Sequence, residues 1–140
     1  MNTIFDLLEA DHREVKQLMK KAEDDPSLMA KIEQELDVHT RFEEEIFYVE
    51  AEAVTGMKEE IQDDLEEHQE AKEMLEKLSK LKAGGKEWTS ALRELADALD
   101  HHIKDEETKL FPEARKKIDV IRSEEMTEQY MVMKEKAKAA

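Results

Sequence analysis

Four long stretches of this chain carry apolar residues at alternating steps of three and four, and few breakers interrupt them. That spacing lays a continuous stripe along one face of an α-helix. Only 3 Gly and 2 Pro punctuate the 140 residues, too few turn formers for a many-stranded β protein. Thr3 with Asp6 forms a capping-box pattern that starts a first helix at Asn2 or Thr3 and carries it to about Asp24. Asp25-Pro26 joins a cap to a proline at the first helical position and opens a second helix, which runs to Val54 or Thr55 with Gly56 as its stop. A third helix spans about Lys58 to Leu81 and ends at Gly84-Gly85. A fourth runs from near Trp88 to Phe111-Pro112, where the proline should kink or interrupt it. Residues 123–138 read as a shorter fifth helix, with Met126, Tyr130 and Met133 at helical spacing. Short turns between long helices make neighbours antiparallel. The expected fold is all-α: an up-down-up-down antiparallel four-helix bundle over residues 1–118, then an extra short C-terminal helix within residues 119–140.

The stripes are not purely apolar. Helix one reads Leu8, His12, Val15, Met19; helix two reads Ile32, Leu36, His39, Glu43, Ile46. Helix three reads Ile61, Leu65, His68, Leu75, Leu78; helix four reads Leu92, Leu95, Leu99, His102, Glu106. A single histidine on such a stripe reads as a hydrogen-bonded core residue, and one glutamate could face a gap at a bundle edge. Four histidines with two glutamates are another matter, because unpaired buried carboxylates are costly and tend to neutralise. The same six groups become a good donor set if a cation sits among them. His101 lies with Asp97, Lys104, Asp105 and Thr108 on a polar face and reads as a solvated residue.

Their heights agree. His12 stands 13 residues before Asp25 and His39 stands 14 after it. Glu43 is 13 before Gly56 and His68 is 12 after it; His68 is 16 before Gly84 and His102 is 18 after it. At ~1.5 Å per residue each hairpin brings its pair to one level within about a turn. His12, His39, Glu43, His68, His102 and Glu106 therefore should meet in one layer of the core. The i, i+4 spacing of His39 with Glu43 and of His102 with Glu106 puts each pair on one face. Two bridging glutamates and two histidines per ion would hold a pair of divalent or trivalent metals, with room for a bridging oxygen, water or a small exogenous ligand. Nitrogen and oxygen donors without thiolate suit iron, manganese or zinc and disfavour Cu(I) or an iron–sulfur cluster.

The rest of the composition narrows the partners. Lys+Arg number 22 against 37 Asp+Glu, a net charge of −15. That charge opposes binding to nucleic-acid phosphates or to an anionic membrane surface. The chain has no cysteine, hence no disulfide and no Cys nucleophile. It shows no signal peptide and no apolar run of the ~18 residues that a span needs, so the expected location is cytoplasmic.

The second half echoes the first. His39–Ala51 (HTRFEEEIFYVEA) aligns without gaps to His102–Ala114 (HIKDEETKLFPEA), matching the histidine, the next two glutamates and the final Glu-Ala. Asp11-His12 through Lys16 likewise echoes Glu67-His68 through Lys72. An Asp-His, a His-x-x-x-Glu-Glu, a Glu-His and a second His-x-x-x-Glu-Glu leading to Leu-Phe-Pro, in that order, resemble the hemerythrin-like (HHE cation-binding) domain family over about residues 3–118. The resemblance implies a four-helix bundle holding a non-haem di-iron centre, oxo- or hydroxo-bridged. Carried over residue by residue, it makes His12, His39, His68 and His102 terminal ligands and Glu43 and Glu106 bridging ligands. It implies binding, sensing or detoxification of dioxygen, peroxide or nitric oxide. A metal site without redox turnover, as an iron or zinc sensor or a structural pin, is the alternative, and no enzyme class follows.

Three features depart from the family pattern. Oxygen-carrying hemerythrins have a further histidine one turn after the third-helix histidine, where this chain has Lys72. His101 could supply another nitrogen only if helix four rotated. Val49 stands where the repeat has Pro112, so helix two should run straight for longer than helix four. Leu8, Val15, Leu36, Ile46, Leu65 and Leu99 should wall the layer against water, with Tyr48, Glu44 and Glu107 as candidate supporting groups. The fifth helix could cover a bundle end or join two copies, leaving monomer and homodimer open.

Overall fold

A computed structural model describes residues 3–139; the alternative helix start at Asn2 lies outside them. Helix α1 (Ile4–Ala22) begins with the expected capping box, in which the Thr3 hydroxyl accepts from the Asp6 amide and the Asp6 carboxylate accepts from the Thr3 amide. Asp25 caps a single 3₁₀ turn, Pro26–Leu28, that leads into α2 (Met29–Phe42). A π-helical turn, Glu43–Phe47, comes next without a break and passes into α3 (Tyr48–Thr55). Gly56 ends α3 at φ +70°, the left-handed conformation that glycine adopts without penalty. Helix α4 (Lys58–Ser79) turns through Gly84-Gly85 into α5 (Lys86–Asp105). A second π-helical turn, Glu106–Leu110, passes into α6 (Phe111–Lys117), and α7 (Val120–Ala139) completes the chain.

Cross-helix pairs fix the directions. Phe5 meets Phe47 while His12 meets His39, so α1 and the α2–α3 rod are antiparallel. His68 meets both Tyr48 and His102, and Phe111 meets Phe5, which closes a ring of antiparallel neighbours. The C-terminal helix lies along α1 and α2. It starts at Val120 rather than Ser123 and buries Met126 and Tyr130, two of the three residues its spacing singled out.

Pro112 does not interrupt the fourth rod. In the π turn before it the Phe111 amide reaches back to the Glu106 carbonyl, and the proline occupies the first turn of α6, where a missing donor costs little. Nor does the second rod run straighter than the fourth, because Glu43–Phe47 makes the same turn, with the Tyr48 amide on the Glu43 carbonyl. The extra residue in each turn rotates the helix beyond it. Phe47 and Tyr48 face inward while Ile46 is half-buried and Val49 is exposed.

The apolar interior falls into two clusters. One contains Ile4, Phe5, Leu8, Phe42, Phe47 and Phe111 and is sealed by Met126 and Tyr130 of α7. The other contains Val15, Leu18, Met19, Ile32, Leu92, Leu95 and Leu99 near the opposite end. His12, His39, His68 and His102 each fall in sequence between residues of the first cluster and residues of the second. A polar layer therefore divides the core.

Candidate metal centre

The structure brings the six expected residues into that layer, all buried. His12 comes from α1, His39 from α2, His68 from α4 and His102 from α5, while Glu43 and Glu106 are the first residues of the two π turns. Each glutamate lies between a histidine of its own rod and one from a neighbour. Glu43 Oε1 is 3.1 Å from His39 Nε2 and 3.2 Å from His68 Nε2. Glu106 Oε1 is 3.3 Å from His12 Nε2, and its Oε2 is 3.6 Å from His102 Nε2. Two groups result, His12–His39–Glu43–Glu106 and Glu43–His68–His102–Glu106; within each, one donor atom per residue lies within 4.8 Å of the others. Both groups contain both glutamates.

Every imidazole uses its other nitrogen on a carboxylate. His39 Nδ1 is 3.2 Å from Asp11 Oδ2, His68 Nδ1 is 2.9 Å from Glu44 Oε2, His102 Nδ1 is 2.8 Å from Glu67 Oε1 and His12 Nδ1 is 2.6 Å from Glu107 Oε2. A carboxylate on Nδ1 keeps a proton there and aims the Nε2 lone pair inward, the arrangement by which proteins orient metal-bound histidine. The four carboxylates obey the internal repeat: Asp11 and Glu67 precede the first histidine of each half, and Glu44 and Glu107 come directly after the two central glutamates. Glu44 and Glu107 thus support the layer as the sequence suggested. Asp11 and Glu67 are visible in the sequence as repeated acidic positions, without a sign of what they touch.

The interior of the layer lacks partners. His12 Nε2, both carboxylate oxygens of Glu43 and Glu106 Oε1 are buried with no hydrogen bond. Their 3.1–3.3 Å approaches to one another lack hydrogen-bond alignment. Each unsatisfied buried polar atom costs ~1–3 kcal/mol, and a charged one more. Cations placed between the two glutamates would satisfy all of them, so these residues fit a metal pair.

Without metal, protons take up part of the charge. Burial alone would lower the pKa of His39, but Glu43 and Asp11 overcome it and raise the value to about 10. Burial opposes His12 and His68 in the same way, and Glu106 and Glu43 respectively raise them. Burial would raise Glu43, yet His39 and His68 hold it well below the carboxylate range. A raised histidine stabilises the metal-free fold fully below its unfolded pKa, near 6.5 for His39, and that contribution is lost as pH climbs toward about 10. Metal uptake at neutral pH is therefore expected to release protons, and affinity should rise with pH. A weakly buffered titration with an indicator dye checks this; uptake without proton release would contradict it.

The π turns place one aromatic ring in each half against the layer. Tyr48 is five residues after Glu43 and stacks on His68 with ring centroids 5.5 Å apart; Phe111 is five after Glu106 and stacks on His12 at 6.0 Å. Only Tyr48 adds a hydroxyl, which donates to Glu106 Oε2 at 2.5 Å and lies 3.2 Å from His68 Nε2. Tyr48→Phe should cost the metal-free fold about 1.5–3 kcal/mol, the range for a hydrogen bond to a charged group. Denaturant unfolding of the stripped protein measures it, and an unchanged midpoint would show that the hydroxyl has another outlet.

Other contacts of the layer had no sequence signal. Asp64 occupies the position that Leu8 holds in the first half, and it is buried 3.5 Å from His102 Nδ1. Burial first, then Glu106 and Glu43, push its carboxyl up to about 9. On α7, the Tyr130 hydroxyl donates to Asp11 Oδ2, and Lys134 Nζ lies 2.7 Å from Asp11 Oδ1. His101 is exposed and meets Asp105 at 3.2 Å, away from the layer. His101→Ala should leave metal content and melting temperature unchanged. If it empties the site while His102→Ala does not, the register of α5 is misassigned.

A cavity between α2 and α4 reaches the four imidazoles. Val15, Leu36 and Leu99 line it as expected of the surrounding wall, whereas Leu8, Ile46 and Leu65 pack in the other core cluster. None of the described helices is long and apolar enough to cross a membrane.

Comparison with known proteins adds three findings. Residues 3–114 match the hemerythrin HHE cation-binding domain family. A crystal structure of a hemerythrin HHE cation-binding domain-containing protein from Mycobacterium kansasii superposes with a TM-score of 0.85 at 21% identity, over 99% of this chain and 89% of that one. A protein of Nostoc sp. (strain PCC 7120) named as a DNA nickase is 29% identical over 133 residues. The alignment takes in 91% of this chain and 36% of that protein, so the chain spans about a third of it.

Proposed function

This chain belongs to the hemerythrin HHE cation-binding domain family, and from that premise we propose that it holds two iron ions and binds, senses or detoxifies dioxygen, peroxide or nitric oxide. One observation carries the reading: two four-donor groups share Glu43 and Glu106, and the unpartnered buried atoms all belong to them. His12 and His39 would hold one ion and His68 and His102 the other, with Glu43 and Glu106 common to both. An iron pair, when bound, supplies the one- and two-electron chemistry that small oxidants and gases require.

The chain's own residues set the conditions for that chemistry. Asp11, Glu44, Glu67 and Glu107 orient the four imidazoles from outside. The Tyr48 hydroxyl holds Glu106 and places one exchangeable proton beside the layer, on one half only. Apolar clusters lie on either side of the layer, and the α2–α4 cavity opens onto it. Zinc or manganese would suit the same donors. A chain of net charge −15 repels the phosphates of DNA, and it spans about a third of the Nostoc protein named as a DNA nickase.

Metal analysis and an optical spectrum on protein from iron-replete cells test the proposal. About two irons per chain, with near-ultraviolet bands that respond to peroxide, azide or nitric oxide, are expected. Bound metal that is inert to all three would favour the structural-metal alternative, and no stoichiometric metal would overturn both.

A further inference from the structure

The cavity that meets the imidazoles has a volume of about 490 Å³. Dioxygen, nitric oxide or hydrogen peroxide need only the space of a water molecule or two, at ~30 Å³ each in the liquid. Cavities of ~300–1,000 Å³ are the size that encloses organic ligands. The position of this one departs from the internal repeat. Its twofold counterpart, between α1 and α5, is a smaller pocket of about 290 Å³ that does not reach the histidines. The difference arises from side chains at matched positions. Val15 and Met19 are buried on the closed side, while their counterparts on the open side, Ala71 and Leu75, are half-buried wall residues. The shorter Ala71 leaves the gap, and α1 packs directly on α5 where α2 and α4 stand apart.

Chemistry is graded along the cavity. Apolar walls come from Val15, Leu36, Ala71, Leu75 and Leu99, and the inner end is the set of imidazoles. Glu43 and Glu106 do not line it; at its inner end the imidazoles stand beside Asp11 and Glu67, whose carboxylates are held on the Nδ1 atoms of His39 and His102. Glu33, Asp37, Glu70 and Glu76 stand at the exposed end, opposed by Lys72 and His101. In a chain of net charge −15 that mouth repels anions.

We propose that this cavity seats an uncharged organic molecule with an apolar body and an oxygen donor at one end, the chemistry of an organic hydroperoxide or of the alcohol it leaves, with the donor end toward the histidines. The assignment rests on the metal reading above, since the donor end meets an open coordination position only where metal is held. Anionic molecules of the same size are excluded at the mouth, and the apolar body displaces water from the walls.

The test uses 2-phenyl-2-propanol, a neutral probe inert to redox chemistry, with benzoate as an anion of similar size. Ligand-observed NMR is recorded on metal-free, zinc-loaded and iron-loaded full chain. Saturable binding of the alcohol is expected, with benzoate at least about tenfold weaker at low salt and the gap narrowing as salt is added. Iron-loaded protein should relax the probe's signals more than zinc-loaded protein, because the bound alcohol lies near the paramagnetic ions. Leu75→Trp fills the cavity and should weaken the alcohol at least about tenfold while metal stoichiometry is kept. Ala71→Leu narrows the same wall one turn away and should act in the same direction if tryptophan disturbs helix packing. Metal uptake without saturable alcohol binding, binding undiminished in both variants, or benzoate bound as tightly would each overturn the cavity assignment alone. Alcohol binding by a chain that takes up no metal would overturn the metal reading and with it the placement of the donor end.

Discussion

Glu43→Gln is expected to remove both metal positions at once, because Glu43 belongs to both donor groups. Glutamine keeps the shape but not the charge or the second anionic oxygen, so it cannot serve two ions. The stability consequence separates a ligand from a structural residue. Metal that binds only the folded chain stabilises it by about 4 kcal/mol at a free concentration near 1,000 times Kd. In the stripped protein Glu43 faces the His39 and His68 imidazoles, so the amide also loses that attraction, and the gap between loaded and stripped forms is the quantity that isolates the metal. Loaded and stripped native protein should therefore melt well apart, and loaded and stripped variant should melt together. Glu106→Gln should behave alike, with an added loss in the stripped state because Tyr48 bonds Glu106. Equal destabilisation of loaded and stripped forms by Glu43→Gln would make it a packing residue.

The second large effect lies on α7. Tyr130 is fully buried and stacks on Phe42 with ring centroids 4.5 Å apart. Truncation to alanine opens a cavity in the core cluster that α7 seals, and comparable aromatic truncations cost ~3–5 kcal/mol. It also takes the hydroxyl from Asp11, the carboxylate that holds His39 Nδ1, and leaves Asp11 anchored by Lys134 alone among its α7 partners. Loss of such outer support lowers metal affinity by roughly 10–100-fold. Tyr130→Phe divides the two effects: it keeps the ring and loses only the hydrogen bond to a charged group, about 1.5–3 kcal/mol, while Asp11 still loses the hydroxyl and is left to Lys134. Denaturant midpoints and metal titrations on the two variants check both parts. A Tyr130→Ala protein within about 1 kcal/mol of native would mean that α7 is not part of the core.

The sequence carried the rods and the layer because both obey a single periodicity. Thr3-Asp6 and Gly56 delimit helices through local chemistry as expected, while Asp25-Pro26 caps a 3₁₀ turn that leads into α2 at Met29. His12, His39, His68 and His102 stand out because imidazoles replace aliphatics at stripe positions. The π turns are invisible there, since one additional residue per turn leaves no mark in a stripe read at 3.6 residues. That is why Ile46 reads as a core position and Phe47 does not. It is also why Pro112 suggests a break that the Glu106–Leu110 turn has already accommodated. Asp64 and Tyr130 depend on neighbours far away in the chain, His102 and Asp11, and no local pattern reports such a contact. The α2–α4 cavity emerges only when matched positions such as Val15 and Ala71 are compared in three dimensions.

The centre itself is tested most directly by an anomalous difference map from crystals of the chain loaded with iron, collected above and below the iron edge. Two peaks are predicted between Glu43 and Glu106, one beside His12 and His39 and one beside His68 and His102. A map with no iron peak in that layer, from protein shown to be iron-replete, would contradict the account.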